Sequence, residues 1–340
     1  MSNKHPSRAL GIAALLLATA GWGGMFLVGK GVLQHVDPTW FTMIRYTLSG
    51  LVFVALLLPR GAAPWRKLRT HAPALALRGV AGFGVFSVML LTGLAHSVPS
   101  HGAVVMATMP MTTQLLRWVL DGVRPARAAV LTSALALAGV VIVSGVLFHQ
   151  QAGPGVSTLR GDALTLLGTL GWVWYTRGAA RFAELDVIEY TALTVLASWP
   201  VLLLGAMLAT AFGWAHVPSA DDLIVSWHAL LYVGLVSSAV AILAFNHGVR
   251  ALGAVTATAF LNFVPVSALL MSVALGKPPT LNELLGTAMV IAALLIHTAS
   301  SRAAPAPAAA RVPARTVRLQ GSASPQELPC PSNRYRWTPR

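Results

Sequence analysis

Ala13-Ala14-Leu15-Leu16-Leu17-Ala18-Thr19-Ala20-Gly21-Trp22 returns 150 residues later as Ala163-Leu164-Thr165-Leu166-Leu167-Gly168-Thr169-Leu170-Gly171-Trp172. Ala13, Leu16, Leu17, Thr19, Gly21 and Trp22 recur at matching places. Leucine and alanine matches are easy to come by in this chain. A Gly-Trp pair is not, because only 10 of the 340 residues are tryptophan. Further along, the offset becomes 155, with Gly79/Gly234, Gly93/Gly248, Pro110/Pro265, Leu115/Leu270 and Leu120/Leu275. One loop insertion accounts for the change, and the ordered set marks two copies of one unit. Ala18-Thr19-Ala20 has the look of a signal-peptidase site. Its match to the interior segment 168–170 makes it helix body instead.

The composition around this repeat is that of a membrane protein. Of the residues, 56% are apolar and 10% are charged, against about 25% charged in soluble domains. The apolar residues fall in ten runs, roughly 9–29, 39–58, 75–95, 101–120, 128–148, 162–180, 189–212, 227–247, 254–275 and 282–300. Each is near the length of about 20 residues that spans a bilayer as a helix. The expected fold is therefore an all-α polytopic membrane protein with ten transmembrane helices. Five spans per unit is an odd number, so the two five-helix repeats are expected to be inverted, as in secondary transporters. The organisation read from the sequence is an N-terminus over 1–8, a first repeat over 9–148 and a linker over 149–161. A second repeat over 162–300 and a disordered basic tail over 301–340 complete it. The tail is rich in Pro, Ala and Arg without apolar periodicity.

Lys and Arg set the orientation. With the N-terminus inside, 20 of the 24 basic residues fall in inside segments, three (Lys30, Arg160, Lys277) fall outside, and Arg45 lies within a span. Without the tail the split is still 13 to 3. The positive-inside rule places both termini in the cytoplasm, for a multi-pass protein of the inner (plasma) membrane. The formal charge of +14 has the same origin, and no nucleic-acid partner is expected. Cys330, the single cysteine, excludes an intrachain disulfide and a cysteine-rich metal site.

No phosphate loop of the Gly-x-x-x-x-Gly-Lys-[Ser/Thr] type, no His-Glu-x-x-His and no Gly-x-Ser-x-Gly occurs, which argues against ATP-driven transport and against an enzyme. No cofactor or metal is expected; His96 and His101 flank a short loop and read as solvated. The ten carboxylates lie in loops, in the tail or near span ends, Glu189 and Glu283 among them, which argues against a midplane carboxylate relay. Arg45 is the clear intramembrane charge. Its stem can snorkel to the interface, or its head can face a cavity, either pairing with helix carbonyls or attracting an anionic substrate group. Trp40, Trp199, Trp214 and Trp227 read as interface-belt anchors. Trp22 and Trp172, at equivalent repeat positions, read either as packing or as cavity walls.

Pro110 and Pro265 fall near the middle of the fourth and ninth runs. Each removes the hydrogen bond to a carbonyl four residues earlier, those of Met106 and Leu261. Gln114 and Asn262 are amides inside spans, read either as interhelical glue or as site groups. The candidate substrate-binding set is Trp22, Arg45, Met106, Pro110, Gln114, Trp172, Leu261, Asn262 and Pro265.

Gly21-Trp22-Gly23 with Lys30 behind it, then Asp37-Pro38 and Arg45, and then the stretch 244–265 with its small residues before Pro265-Val266, resemble the EamA type of the drug/metabolite transporter superfamily over about residues 9–300. The resemblance implies an exporter of a small organic metabolite, an amino-acid-like compound or a drug, working by alternating access with both termini cytoplasmic. It departs from the family at Leu120-Asp121-Gly122 and at Leu275-Gly276-Lys277-Pro278, where a Gly-Glu pair is common. The partners expected are a small-molecule substrate and the lipid bilayer, with a homodimer kept as a candidate state. The competing class is a non-transport membrane protein such as a lipid scramblase or a receptor.

Overall fold

The computed structural model describes residues 7–96, 106, 108–143, 159–274, 276 and 278–303. Most of the linker expected over 149–161, the tail beyond 303, and Pro99, His101, Lys277 and Cys330 lie outside the described residues. Every regular element among the described residues is helical.

Helix starts follow local chemistry. In α1 (Arg8–Val32), the Ser7 hydroxyl accepts from the Leu10 amide at 3.2 Å. Asp37 precedes α2 (Pro38–Leu57), whose first residue is a proline with no amide to satisfy. A third helical stretch runs as α3 (Ala63–Gly79), a π-helical segment Val80–Val85 and α4 (Phe86–His96). Then come α5 (Met109–Asp121), α6 (Arg127–Val143) and α7 (Leu159–Arg181). Asp186 and Glu189 cap α8 (Val187–Ala211) reciprocally. Ser219 and Asp222 do the same for α9 (Ala220–Leu231), which continues through a π-helical segment Tyr232–Val240 into α10 (Ala241–Leu252). Finally, α11 (Ala254–Ala259), a 3-10 turn Phe260–Asn262 and α12 (Phe263–Ala274) precede α13 (Leu281–Ala303).

Seven helical stretches among the described residues are long and apolar enough to cross a membrane. The third and eighth runs were expected to begin at 75 and 227, but their helices begin at Ala63 and Ala220. The sequence reading counted only apolar residues. Arg66, Lys67 and Arg69 are good helix formers, and the box at Ser219 starts α9 a full two turns ahead of Trp227. The outside of the bundle is apolar: Leu51, Leu131, Ile224 and Leu295 are each more than 60% exposed. The inside holds fully buried hydroxyls such as Ser49, Thr176, Ser198 and Thr258. This distribution suits a hydrocarbon surround.

The two halves pack on each other reciprocally. The opening helix of the first half, α1, packs on α10, and the opening helix of the second half, α7, packs on α4. The π-helical segments follow the same rule, Tyr232–Val240 against α1 and Val80–Val85 against α7. Three pairs of repeated glycines stand at contacts between the halves. A methyl group at Gly171 would strike the carbonyl of Ala81, and one at Gly21 would press on Ala241 and Val236. Gly93 lies against Thr165, and Gly248 against Leu15. Gly79 lies against Ser198, and Gly234 against Leu48. In each case the struck residues are themselves repeat partners: 81 and 236, 15 and 165, 48 and 198. The glycines repeat because the interface repeats.

Among the described residues, the ion pairs made by Lys and Arg collect at one end of the bundle. Lys67 Nζ donates to both carboxylate oxygens of Glu189, at 2.8 and 2.7 Å. Arg60 pairs with Asp186, and Arg177 with Asp121. At the other end the Asp37 carboxylate accepts from the His216 amide at 2.8 Å, and Trp40 Nε1 donates to Thr210 Oγ1 at 3.0 Å.

Candidate functional site

A cavity lies where both halves meet. Trp22, Met25 and Phe26 of α1, Arg45 and Tyr46 of α2, and Phe86 and Leu90 of α4 wall one side. Met106, Trp172 of α7, Ile242 of α10 and Leu261 wall the other. Its volume is about 20 Å³, room for a single water molecule. Nothing larger than water fits it without movement of the helices.

Its walls are aromatic. Trp22 and Trp172 meet edge to face with ring centroids 5.3 Å apart, and Phe245 packs on both at 5.2 and 5.5 Å. Phe86 adds a contact to Trp172 at 5.3 Å. The two tryptophans differ in one respect. Trp22 Nε1 donates to the Ser237 carbonyl at 2.9 Å, in the π-helical segment Tyr232–Val240. Trp172 Nε1 is buried with no hydrogen-bond partner among the described residues. A buried donor left unpaired is costly, so the cavity wall offers an unmet donor.

Arg45 is the charge of the site. It is 4% exposed, its Nε donates to Ser238 Oγ at 2.8 Å, and its guanidinium lies 5.0 Å from the Tyr46 ring centroid. Among the described residues no carboxylate pairs with it. The π-helical segment places Ser237 and Ser238 side by side, one serving Trp22 and the other Arg45. Arg45 is thus buried at the cavity wall instead of extending to the exposed outer surface.

The nine sequence candidates divide. Trp22, Arg45, Met106, Trp172 and Leu261 share this cavity. Pro110, Gln114, Asn262 and Pro265 do not line it. Pro110 stands at the start of α5, and Pro265 in the first turn of α12 behind the 3-10 turn. Pro265 thus lies inside the apolar stretch Ala254–Met271, where regular α-helix gives way to a 3-10 turn just before it; most of residues 101–107, ahead of Pro110, lie outside the described residues. Met106 and Leu261 line the cavity. Gln114 is glue. Its Nε2 donates to the Pro110 carbonyl (3.2 Å) and to Ser133 Oγ (3.1 Å), which ties α5 to α6. Asn262 faces a separate cavity of about 10 Å³ with Thr132, Ser133 and His297.

Other aromatic readings change as well. Trp40 and Trp199 are not simple belt anchors. Their indole nitrogens donate to Thr210 and Thr47, both at 3.0 Å, across the α2–α8 contact. Trp214 is 78% exposed, as a belt residue would be. The sequence reading missed Asn246. It is fully buried, and its Nδ2 donates to Tyr175 at 2.5 Å and to Thr191 at 2.8 Å. It met the same criterion, an amide inside a span, that singled out Gln114 and Asn262.

A multi-pass helical bundle whose two halves close on a buried cation and an aromatic cavity has the architecture of a membrane transporter. The chain belongs to the EamA-like transporter family, which matches it twice, over residues 9–145 and 159–299. It is similar to the uncharacterized transporter YrdR of Bacillus subtilis, 29% identical over 299 residues, covering 86% of this chain and 92% of that one. It is 27% identical over 290 residues to a probable terminal-alkyne amino-acid exporter of Streptantibioticus cattleyicolor, covering 83% and 91% of the two chains. The uncharacterized inner membrane transporter YedA of Escherichia coli is 27% identical over 258 residues, covering 75% and 79%. A solved crystal structure superposes with a TM-score of 0.67 at 22% identity, covering 86% of this chain and 98% of that one. It shares the fold. The chain is a transporter and not an enzyme.

Proposed function

We propose that the chain is a secondary transporter that exports a small organic solute bearing a carboxylate, of amino-acid-like chemistry, across the inner membrane by alternating access. The observation that carries this reading is Arg45, a buried guanidinium without a carboxylate partner among the described residues, at the wall of an aromatic cavity. A buried cation is stable only when paired, and an anionic cargo supplies the pair in transit. The unmet Trp172 N–H is a second donor for the same acceptor-rich group. The aromatic faces suit an apolar side chain. The relative named as an amino-acid exporter supports that cargo class.

The reciprocal glycine contacts support two halves related by a twofold axis. With five spans each, that axis lies in the membrane plane and the halves are inverted. The narrow cavity fits a closed stage of the cycle, and the basic end of the bundle, holding Arg60, Lys67, Arg177 and Arg181, is the cytoplasmic one.

The test is flux in proteoliposomes holding the full chain, with labelled amino acids that include terminal-alkyne ones. A hydrogen-bonded charge contributes about 1.5–3 kcal/mol, so Arg45→Gln should raise the half-saturating concentration about 10- to 100-fold. Trp172→Phe, which keeps the ring and removes the N–H, should have a smaller effect. Undiminished uptake by folded Arg45→Gln protein overturns the site. Lipid flipping without solute flux overturns the transporter reading of the mechanism.

A further inference from the structure

A second, larger opening lies at the basic end of the bundle. It has a volume of about 270 Å³ and is walled by Thr113, Arg117 and Asp121 of α5, Arg177 and Arg181 of α7, and residues 253–255 at the α10–α11 turn. Three guanidinium groups face one carboxylate there, so the wall carries two uncompensated positive charges. Arg177 is the inner one. Its side chain is 9% exposed, its Nη2 donates to Asp121 Oδ1 at 2.7 Å, and its Nε is buried with no partner among the described residues. Arg181 Nη2 stands 3.6 Å from the same Asp121 oxygen. The arginines hold the Asp121 carboxyl below the usual carboxylate range, Arg177 through its hydrogen bond first. Surface arginines that serve only the positive-inside rule point to lipid headgroups. Arg177 instead sits between helices with a donor unmet. The segments that wall the central cavity at Met106, Trp172 and Leu261 continue into this opening.

We infer that this vestibule is a second anion site, where the carboxylate of a cytoplasmic solute docks on Arg117, Arg177 and Arg181 in competition with Asp121 before it reaches Arg45. The staging role rests on the transporter reading above; the anion site itself does not, and the experiment reads the site without transport. The probe position is Ala254→Cys in the full chain carrying Cys330→Ser, purified in neutral detergent. Its modification rates by the anionic 2-sulfonatoethyl and the cationic 2-trimethylammonioethyl methanethiosulfonates are compared at matched ionic strength. A field of two net charges in a cleft favours the anionic reagent by about tenfold relative to free thiol controls. Asp121→Asn should raise that ratio. Arg117→Gln and Arg181→Gln, both at exposed positions and tolerable to the fold, should each lower it about threefold.

Sodium propionate should slow modification where propionamide does not, and Arg177→Gln should abolish that protection. A ratio at or below the free-thiol value overturns the inference. So does a ratio indifferent to Arg117→Gln and Arg181→Gln, or equal protection by propionate and propionamide. Protection by phosphatidylglycerol added to the micelle, with none from propionate, makes this a lipid headgroup site and also overturns it. Anion protection that persists when Arg45→Gln leaves flux intact would sink the central-site reading and leave the vestibule standing.

Discussion

Arg45 and Gln114 show how two polar residues within spans take opposite roles. Each is nearly fully buried. Arg45 has one neutral hydroxyl partner and a cavity in front of it, so its remaining hydrogen-bonding capacity is directed at a guest. Gln114 spends its amide nitrogen on α5 and α6 and does not line the cavity; only its Oε1 is left without a partner among the described residues. Gln114→Ala is therefore expected to lower stability by about 1–2 kcal/mol, the value of lost buried hydrogen bonds, with substrate affinity unchanged. Thermal unfolding in detergent together with a binding isotherm checks both parts. Unaltered stability with weakened binding would return Gln114 to the site. The sequence distinguished the two residues by charge, but for each it left a site role and a non-site role open. Their partners, Ser238 at 193 residues' distance and Ser133 on the next helix, come from folding.

At the scale of elements, the repeated glycines set how closely the halves approach, and they do not do so equally. A methyl group at Gly171 meets backbone, the carbonyl of Ala81, which cannot step aside. At Gly21 the nearest atoms are side-chain carbons, Ala241 Cβ at 3.3 Å and Val236 Cγ1 at 3.5 Å. Gly171→Ala should therefore destabilise by about 1–3 kcal/mol, the usual cost of overpacking, and Gly21→Ala by less. Gly205, with open space around it, is the control, because there alanine gains up to about 1 kcal/mol of helix propensity. Melting temperatures of the three variants in one detergent decide the order; Gly21→Ala falling below Gly171→Ala would mean that the α7 contact with Val80–Val85 is looser than described. The positions of these glycines were legible as a repeat. The π-helical segments they pack against were not, because a change from one backbone hydrogen-bonding register to another leaves no composition signal. Those segments place Ser237 and Ser238, so the site depended on a feature that hydropathy does not register.

For the whole molecule, the charge split between inside and outside segments has a physical counterpart in the Lys and Arg ion pairs gathered at one end among the described residues. A cysteine introduced at Gly155, in a chain carrying Cys330→Ser, should react with an impermeant maleimide in intact cells. One at Arg69 should react only after permeabilisation. The reverse pattern would invert the orientation and move the arginine vestibule to the outer face. The sequence by itself determined the class of protein, the repeat, the helical spans in outline and the cationic candidate. Each of these is a one-dimensional property, a count, a period or a run, and the bilayer makes such properties decisive by forbidding unsatisfied backbone. Only the tertiary structure decided which polar residues meet. It brought Trp22, Arg45, Met106, Trp172 and Leu261 to one cavity, sent Gln114 and Asn262 elsewhere, and joined Asp121 to Arg177 across 56 residues. The reason is angular. A helical position turns by about 100° per residue, so which face looks inward is settled by the neighbouring helix and not by the residue's place in its own run.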